Sequence, residues 1–220
     1  MIDKFEKFVR KPFPHFDPRL NISKQVKRNL EDPSYIASHS FYPFIHYQIV
    51  SRKFSKDKGL SNPKIRDIYY AAHMDGYIFK MYADKLTRKY NQLCNHLKID
   101  DVVLAYRNNK EGKNNIHFSA EVIDFISKQE NAFIFVSDFT KYFDRLDHKI
   151  LKENVIKVLD DGYLLSNDWW NVFKHITNFC SVEKKDVEEH LKMLGGDPKD
   201  KELERYFSAR EFREFRKKFK

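Results

Sequence analysis

The sequence predicts a helix-rich α+β fold. Apolar residues recur at three- and four-residue steps over residues 75–97, which places them on one face of a helix. A short apolar run at residues 133–136 has the composition of a buried strand. Six glycines and seven prolines among 220 residues, with 15% aromatic residues, argue against disorder or a linker-rich architecture.

The other elements follow from local signals along the chain. Three prolines between residues 12 and 18 predict a basic arm with short elements up to about residue 28. An aromatic cluster at residues 41–47 is predicted to pack in a core, and the polar, basic residues 51–64 are predicted to form an exposed loop. A helix ahead of Asn131 is predicted with an apolar face, and further helices begin at residues that can cap them: Asp147, Ser166 and Ser208.

The charge balance indicates an anionic partner. Lys and Arg number 41 against 32 Asp and Glu, a formal net charge of +9, and a basic, aromatic-rich chain favours nucleic acid first among such partners. A mean hydropathy of -0.69 and the absence of a long apolar run predict no membrane span. The N-terminus lacks the pattern of a secretory signal, so Cys94 and Cys180 are expected to be reduced thiols in a cytoplasmic protein.

The most informative stretch is residues 133–148. The predicted strand ends at Asp138, and two aromatic residues, Tyr142 and Phe143, precede a second carboxylate, Asp144. A carboxylate held at the end of a rigid strand suits a hard cation such as Mg²⁺, which takes oxygen ligands. From the spacing alone, a strand–turn–helix in which Asp138 is only a capping residue remains the alternative.

This stretch resembles the first palm motif of reverse transcriptases, in particular the bacterial retron and abortive-infection type. The resemblance implies that Asp138 binds the catalytic metal and that the backbone carbonyl of Phe139 joins it. It implies that Phe143 is the aromatic gate that crowds a ribose 2′-hydroxyl and so favours dNTPs. Asp144, with Leu146 and His148, completes the pattern.

Upstream segments resemble the same family in the same order, over about residues 40–160. Lys64 and Arg66 match a fingers element that approaches the incoming triphosphate, and Arg and Lys are suited to phosphate oxygens. Arg107 and Lys113 match a later segment and are expected near template, primer or nucleotide phosphates. A structural ion pair is the open alternative for Arg107.

The resemblance implies an incomplete right-hand polymerase, with an N-terminal arm and fingers over residues 1–130 and a partial palm with a helical segment over residues 131–220. It implies an RNA-directed DNA polymerase (a nucleotidyltransferase) with Mg²⁺, or alternatively Mn²⁺, as cofactor. The implied partners are an RNA or DNA template-primer, dNTPs and the rest of the palm and thumb, supplied in cis or in trans. A homo-oligomer is also compatible with the resemblance, and no membrane partner is expected. A role in bacterial anti-phage defence is implied by the resemblance alone.

The chain departs from the family in its acidic motifs. Polymerases of this kind use two metal ions, which need more carboxylates than Asp138, yet no aromatic-x-Asp-Asp hairpin follows the first motif. The pairs at residues 100–101 and 160–161 are predicted to lie in turns or caps. We therefore expect the 220-residue chain to be inactive as a polymerase by itself. The alternative function is a non-catalytic nucleic-acid-binding or assembly module.

Overall fold

A computed structural model describes Phe5 and residues 11–57, 59–140, 142–160 and 162–218. It confirms a helix-rich α+β fold. The helices in these residues are α1 (Lys24–Glu31), α2 (Pro33–Ser38), α3 (His73–His96), α4 (Asn115–Ser127), α5 (His148–Leu159), α6 (Asn167–Thr177), α7 (Lys184–Met193) and α8 (Ala209–Lys217). The strands are β1 (Phe44–Ser51), β2 (Phe54–Ser55), β3 (Gly59–Leu60), β4 (Lys64–Tyr70) and β5 (Ser181–Glu183), and Phe143–Arg145 form one 3₁₀ turn.

The strands form a small mixed sheet and a separate hairpin. The sheet has the order β4-β1-β5, with β1 antiparallel to β4 and parallel to β5. Strand β2 pairs with β3 inside the segment that the sequence predicts as a loop. That segment is exposed, as expected, but it is an ordered hairpin because the short strands pair with each other across a turn at positive-φ Gly59.

The chain divides into two compact units. The first comprises residues 1–81 and 166–220, and the second comprises residues 82–165. The division expected from the resemblance, with fingers over residues 1–130 and a partial palm over residues 131–220, stays a prediction.

The first unit has an aromatic core built from both ends of the chain. Phe16, in the N-terminal arm, is buried against Phe207 and Phe215, with ring centroids 5.7 and 6.1 Å away. Backbone hydrogen bonds join the arm to the segment before α8, from the Tyr206 amide to the His15 carbonyl and from the Arg19 amide to the Glu204 carbonyl. Phe215 on α8 is buried in this core, and Phe219 lies outside the described residues.

Two buried carboxylates secure the start of α3. Asp17 accepts hydrogen bonds from the backbone amides of His73 and Met74, each at 2.9 Å. Asp75 accepts from the Tyr42 amide at 2.9 Å, and its other oxygen lies 2.7 Å from Nε2 of His39. The helix therefore takes its N-terminal cap from a residue 56 positions earlier in the sequence, which no local pattern reveals.

A histidine ties the three strands of the sheet together. His46 on β1 lies between Glu183 of β5, 2.7 Å from Nδ1, and Asp67 of β4, 3.0 Å from Nε2. Both ring nitrogens can donate only in the imidazolium form. The hydrogen bonds to Glu183 and Asp67 accordingly raise the pKa of His46.

The second unit has little core of its own. Among its described residues only Tyr82, Cys94 and Leu159 are buried. The predicted helix before Asn131 is confirmed as α4, but no residue of α4 is buried, and Phe125 on its apolar face is 67% exposed. Phe118 and Ile126 on the same helix are partly buried.

The predicted strand at residues 133–136 is absent. These residues have no regular secondary structure, and their side chains are between 56% and 93% exposed. A strand is stable only when a neighbour satisfies its amide and carbonyl groups, and no described strand of this unit is available to do so. The apolar composition indicates strand propensity, whereas the pairing depends on tertiary structure.

Candidate functional site

Asp138 lines a cavity of about 650 Å³ in the second unit. Phe139, Thr140 and Tyr142 line the same cavity, as do Arg145 and Asn154. The Asp138 carboxylate is exposed and makes no hydrogen bond or ion pair with any other described residue. The cap of α5 is Asp147, which accepts from the amides of Lys149 and Ile150, so Asp138 does not cap this helix. The cation-binding role expected of Asp138 stays a prediction.

An aromatic group flanks this carboxylate. The ring centroids of Phe139 and Tyr142 are 6.2 Å apart, and those of Tyr142 and Phe143 are 5.3 Å apart at an interplanar angle of 75°. Tyr142 lines the cavity, whereas Phe143 is 70% exposed and does not line it. The steric-gate role expected of Phe143 therefore stays a prediction.

The described residues provide part of a cation site. No group of three metal-ligating side chains occurs among them. Mg²⁺ is commonly bound by one or two carboxylates, with water and substrate phosphates as its other ligands. Asp138 is one carboxylate of this kind, while the Phe139 carbonyl accepts a hydrogen bond from the Tyr142 amide at 3.2 Å. A metal site at these two residues stays a prediction. The side chain of Asp144 lies outside the described residues.

Arg107 makes its hydrogen bonds within its own unit, where its role is structural. Its side chain is fully buried, and it donates to Asn91 at 2.6 Å, to the Val103 carbonyl at 3.1 Å and to Asp100. Of the two roles that the sequence leaves open, this geometry supports the structural ion pair. Lys110 also binds Asp100, and the hydrogen bonds from Lys110, Asn109 and Arg107 lower the pKa of Asp100 to about 2.

Asp100 and Asp101 lie in a turn and Asp160 lies at a helix end, as the sequence predicts. Asp100 anchors the turn that holds Arg107, and Asp160 ends α5 in the left-handed conformation, with φ of 56°. Asp161 lies outside the described residues.

Lys113 lies with Arg107 along a second cavity of about 360 Å³, which is different from the one that Asp138 lines. Its ammonium group is 2.6 Å from Glu121 on α4, and both side chains are about half exposed. An exposed pair of this kind is worth little in free energy, so Lys113 can exchange this partner for a phosphate. Its predicted phosphate contact remains a prediction.

Lys64 and Arg66 lie in the first unit, on β4. Residues two apart on a strand share a face, and this face carries Tyr70, which packs against the core, at its other end. Both cations are exposed and form no ion pair within the described residues. The strand thus carries two exposed positive charges on one face, and their predicted contact with a triphosphate stays a prediction.

Sequence reasoning missed Arg145 and Asn154 as lining residues of the Asp138 cavity. Arg145 sits one residue after the second acid of the motif, and its charge beside a carboxylate was the available signal. Asn154 comes from α5, and only the tertiary structure brings it to the cavity.

Comparison with known proteins gives no family assignment. Neither the protein-family models nor the curated proteins match the chain. Within the described residues, no helix combines the length and the hydrophobicity needed to cross a bilayer.

Proposed function

We propose that this chain is part of an RNA-directed DNA polymerase of the reverse transcriptase kind, to which it contributes the fingers and the first palm motif. The observation that carries the proposal is the unpartnered carboxylate of Asp138 in a cavity lined by Phe139 and Tyr142, among the described residues. The free cation pair Lys64 and Arg66 supports it, because a nucleotide triphosphate requires positive groups of this kind. The substrates are dNTPs and a template-primer, and a defence role rests on the resemblance alone.

Each residue has a distinct role in the proposed reaction, in which a 3′-hydroxyl attacks the α-phosphate of a dNTP and pyrophosphate leaves. Asp138, with the Phe139 carbonyl, holds the divalent cation, Mg²⁺ or Mn²⁺. Together with the second metal ion that polymerases of this kind use, held by carboxylates outside this motif, a cation bound there would supply activation of the hydroxyl and charge stabilisation of the leaving oxygen. Lys64 and Arg66 bind the triphosphate and neutralise its charge, Arg66 as a fork and Lys64 as a point charge. Phe143 limits access of a ribose 2′-hydroxyl by its bulk.

The proposal must account for the apolar residues 133–136, which form no strand. The resemblance to the palm motif requires a strand at these residues, so its absence counts against the proposal. The chain alone is expected to lack polymerase activity because no aromatic-x-Asp-Asp hairpin follows the first motif. These residues and Phe125 on α4 are exposed apolar side chains, and exposed apolar patches are typical of surfaces that bind another protein segment. We propose that the rest of the palm and thumb covers these side chains, in cis or in trans.

Nucleotide binding tests the proposal on the chain as it is. A fluorescent dNTP titrated with Mg²⁺ should bind, and Lys64→Ala with Arg66→Ala should weaken binding at least about tenfold, the loss of two charge-assisted hydrogen bonds. Asp138→Asn should remove the dependence on Mg²⁺. Lys199→Ala with Lys201→Ala, two exposed cations of the same unit, is the matched control and should change nothing.

Two results would overturn the proposal. One is dNTP binding that is absent or insensitive to both variants. The other is a hydrogen-exchange experiment in which residues 133–136 stay unprotected in every assembly that shows dNTP incorporation. Incorporation by the 220-residue chain alone, abolished by Asp138→Asn, would instead refute the expectation of inactivity.

The second candidate is a non-catalytic nucleic-acid-binding module. It is favoured by one observation, the concentration of cations without ion pairs among the described residues around β2 and β3. This candidate predicts nucleic-acid binding that weakens steeply with salt and is indifferent to Asp138→Asn, without any Mg²⁺-dependent dNTP binding.

A further inference from the structure

The positive charge of the chain is concentrated in one short segment. Residues 51–66, named here the basic hairpin, contain six lysines and arginines and one aspartate. Their surplus of five is more than half of the net charge of +9 of the whole chain. Such a concentration creates a local positive potential that attracts polyanions.

The basic hairpin also presents an exposed apolar platform. Phe54 on β2 pairs directly with Leu60 on β3, so both side chains lie on one face. They are 73% and 64% exposed. Two hydrogen bonds hold the base of the hairpin, from the Lys53 amide to Oγ of Ser61 at 2.9 Å and from the Ser61 amide to the Lys53 carbonyl at 2.8 Å. The platform is therefore held in place before any ligand arrives.

The cations beside this platform are available to a ligand. Arg52, Lys53 and Lys56 are exposed and form no ion pair within the described part of the chain. The helices show the contrasting arrangement, since Lys184 on α7 and Lys217 on α8 each lie within ion-pair distance of a glutamate on the same helix. The basic hairpin thus differs from an ordinary charged surface, in which neighbouring charges of both signs offset each other.

We infer that the basic hairpin binds single-stranded nucleic acid, with a base stacked on Phe54 and with Arg52, Lys53 and Lys56 on the adjacent phosphates. A single strand is favoured over a duplex because an exposed ring can stack only on an unpaired base. Stacking also distinguishes this ligand from an acidic protein segment, which offers charge without a flat ring. As a strand contact of the polymerase, the inference rests on the proposed function. The residues that make the contact, Phe54 and the cations Arg52, Lys53 and Lys56, are different from Lys64 and Arg66, the two cations of the basic hairpin that are assigned to the triphosphate.

Fluorescence anisotropy of the full chain with labelled dT12 and U12, without divalent metal, tests the inference. Phe54→Ala should weaken binding about 5- to 150-fold at every salt concentration, the range for loss of one stacked base. Lys53→Ala with Lys56→Ala should reduce the slope of log affinity against log salt by about 1.4, since each phosphate contact contributes roughly 0.7 for a single strand.

Matched controls separate the hairpin from general surface effects. Phe125→Ala removes a similarly exposed ring from α4, and Lys199→Ala with Lys201→Ala removes two exposed cations elsewhere in the first unit. Neither should change affinity or slope. Asp138→Asn should also leave binding unchanged, so failure of the dNTP site and failure of the hairpin give different results.

Three outcomes would overturn the inference: binding unaffected by Phe54→Ala, an unchanged salt slope in the double lysine variant, or equal competition by a polyglutamate of matched charge. The last result would show that the surface recognises charge alone. Circular dichroism of each variant verifies that the fold is retained, and retained fold with retained binding counts against the hairpin.

Discussion

Asp17 provides the sharpest stability prediction, because it caps a helix from a distant part of the sequence. The side chain is 8% exposed, and its two oxygens accept from the amides of His73 and Met74. Asp17→Ala removes both acceptors and leaves two amides at the start of α3 without partners in a site that water barely reaches.

The magnitude follows from these contacts. A hydrogen bond to a charged group contributes about 1.5–3 kcal/mol, so the two bonds together stabilise the fold by at most about 6 kcal/mol. Burial opposes this gain, and it raises the pKa of Asp17, so the ionised carboxylate carries a desolvation cost in the fold. We therefore expect Asp17→Ala to lower the free energy of unfolding by about 3 kcal/mol, and Asp17→Asn by about 2 kcal/mol because one acceptor remains.

Urea denaturation followed by tryptophan fluorescence measures this effect, since Trp169 and Trp170 both belong to the first unit. With an m value of about 2 kcal/mol/M, the midpoint should fall by about 1.5 M for Asp17→Ala. Asp32→Ala is the control, because Asp32 caps α2 through one bond to the Ser34 amide in an exposed position. It should cost only about 0.5–1 kcal/mol. Equal losses for the two alanine variants would refute the argument from burial.

Three further predictions concern packing, protonation and the ion-pair turn. Phe16→Ala should cost about 3–5 kcal/mol and Phe125→Ala under about 0.5 kcal/mol in urea denaturation; similar costs would contradict the assigned core. In an NMR titration His46 should have a pKa above 6.5, whereas His15, whose pKa burial lowers to about 3, should stay neutral down to about pH 4. By linkage, the stabilisation of the fold by protonated His46 is complete below pH 6.5 and is lost as pH rises through its folded pKa. For His15, up to about 5 kcal/mol of folding free energy is lost as pH falls from 6.5 towards 3. A His15 midpoint near 6.5 would disprove its burial. Arg107→Lys should destabilise the second unit by about 2–3 kcal/mol, and hydrogen exchange in α4 should become faster. If dNTP binding weakens while hydrogen exchange is unchanged, Arg107 contacts phosphate and is not only a structural ion-pair residue.

Local chemistry alone accounts for most of the helices. The apolar period over residues 75–97 predicts α3, and the caps at Asp147 and Ser208 coincide with the starts of α5 and α8. Ser166 stands at the start of α6, although its hydroxyl bonds to Asp168 and not to a backbone amide. These elements are accessible from the sequence because a helix closes its hydrogen bonds within one segment.

The candidate site is predictable only as a set of residue types. The sequence points to Asp138 and to Lys64 with Arg66, and these groups are exposed and form no ion pair within the described residues. The sequence does not reveal that Arg107 is occupied by Asp100 and Asn91, since that depends on which side chains the turn brings together.

The sequence by itself determined the fold class, most of the helices, the basic character and the carboxylate of the candidate site. Only the tertiary structure decided that residues 133–136 are unpaired, that residues 51–64 form an ordered hairpin and that Asp17 caps α3. The physical reason is the same in each case. A strand or a distant cap depends on a partner elsewhere in the chain, and no local pattern specifies that partner.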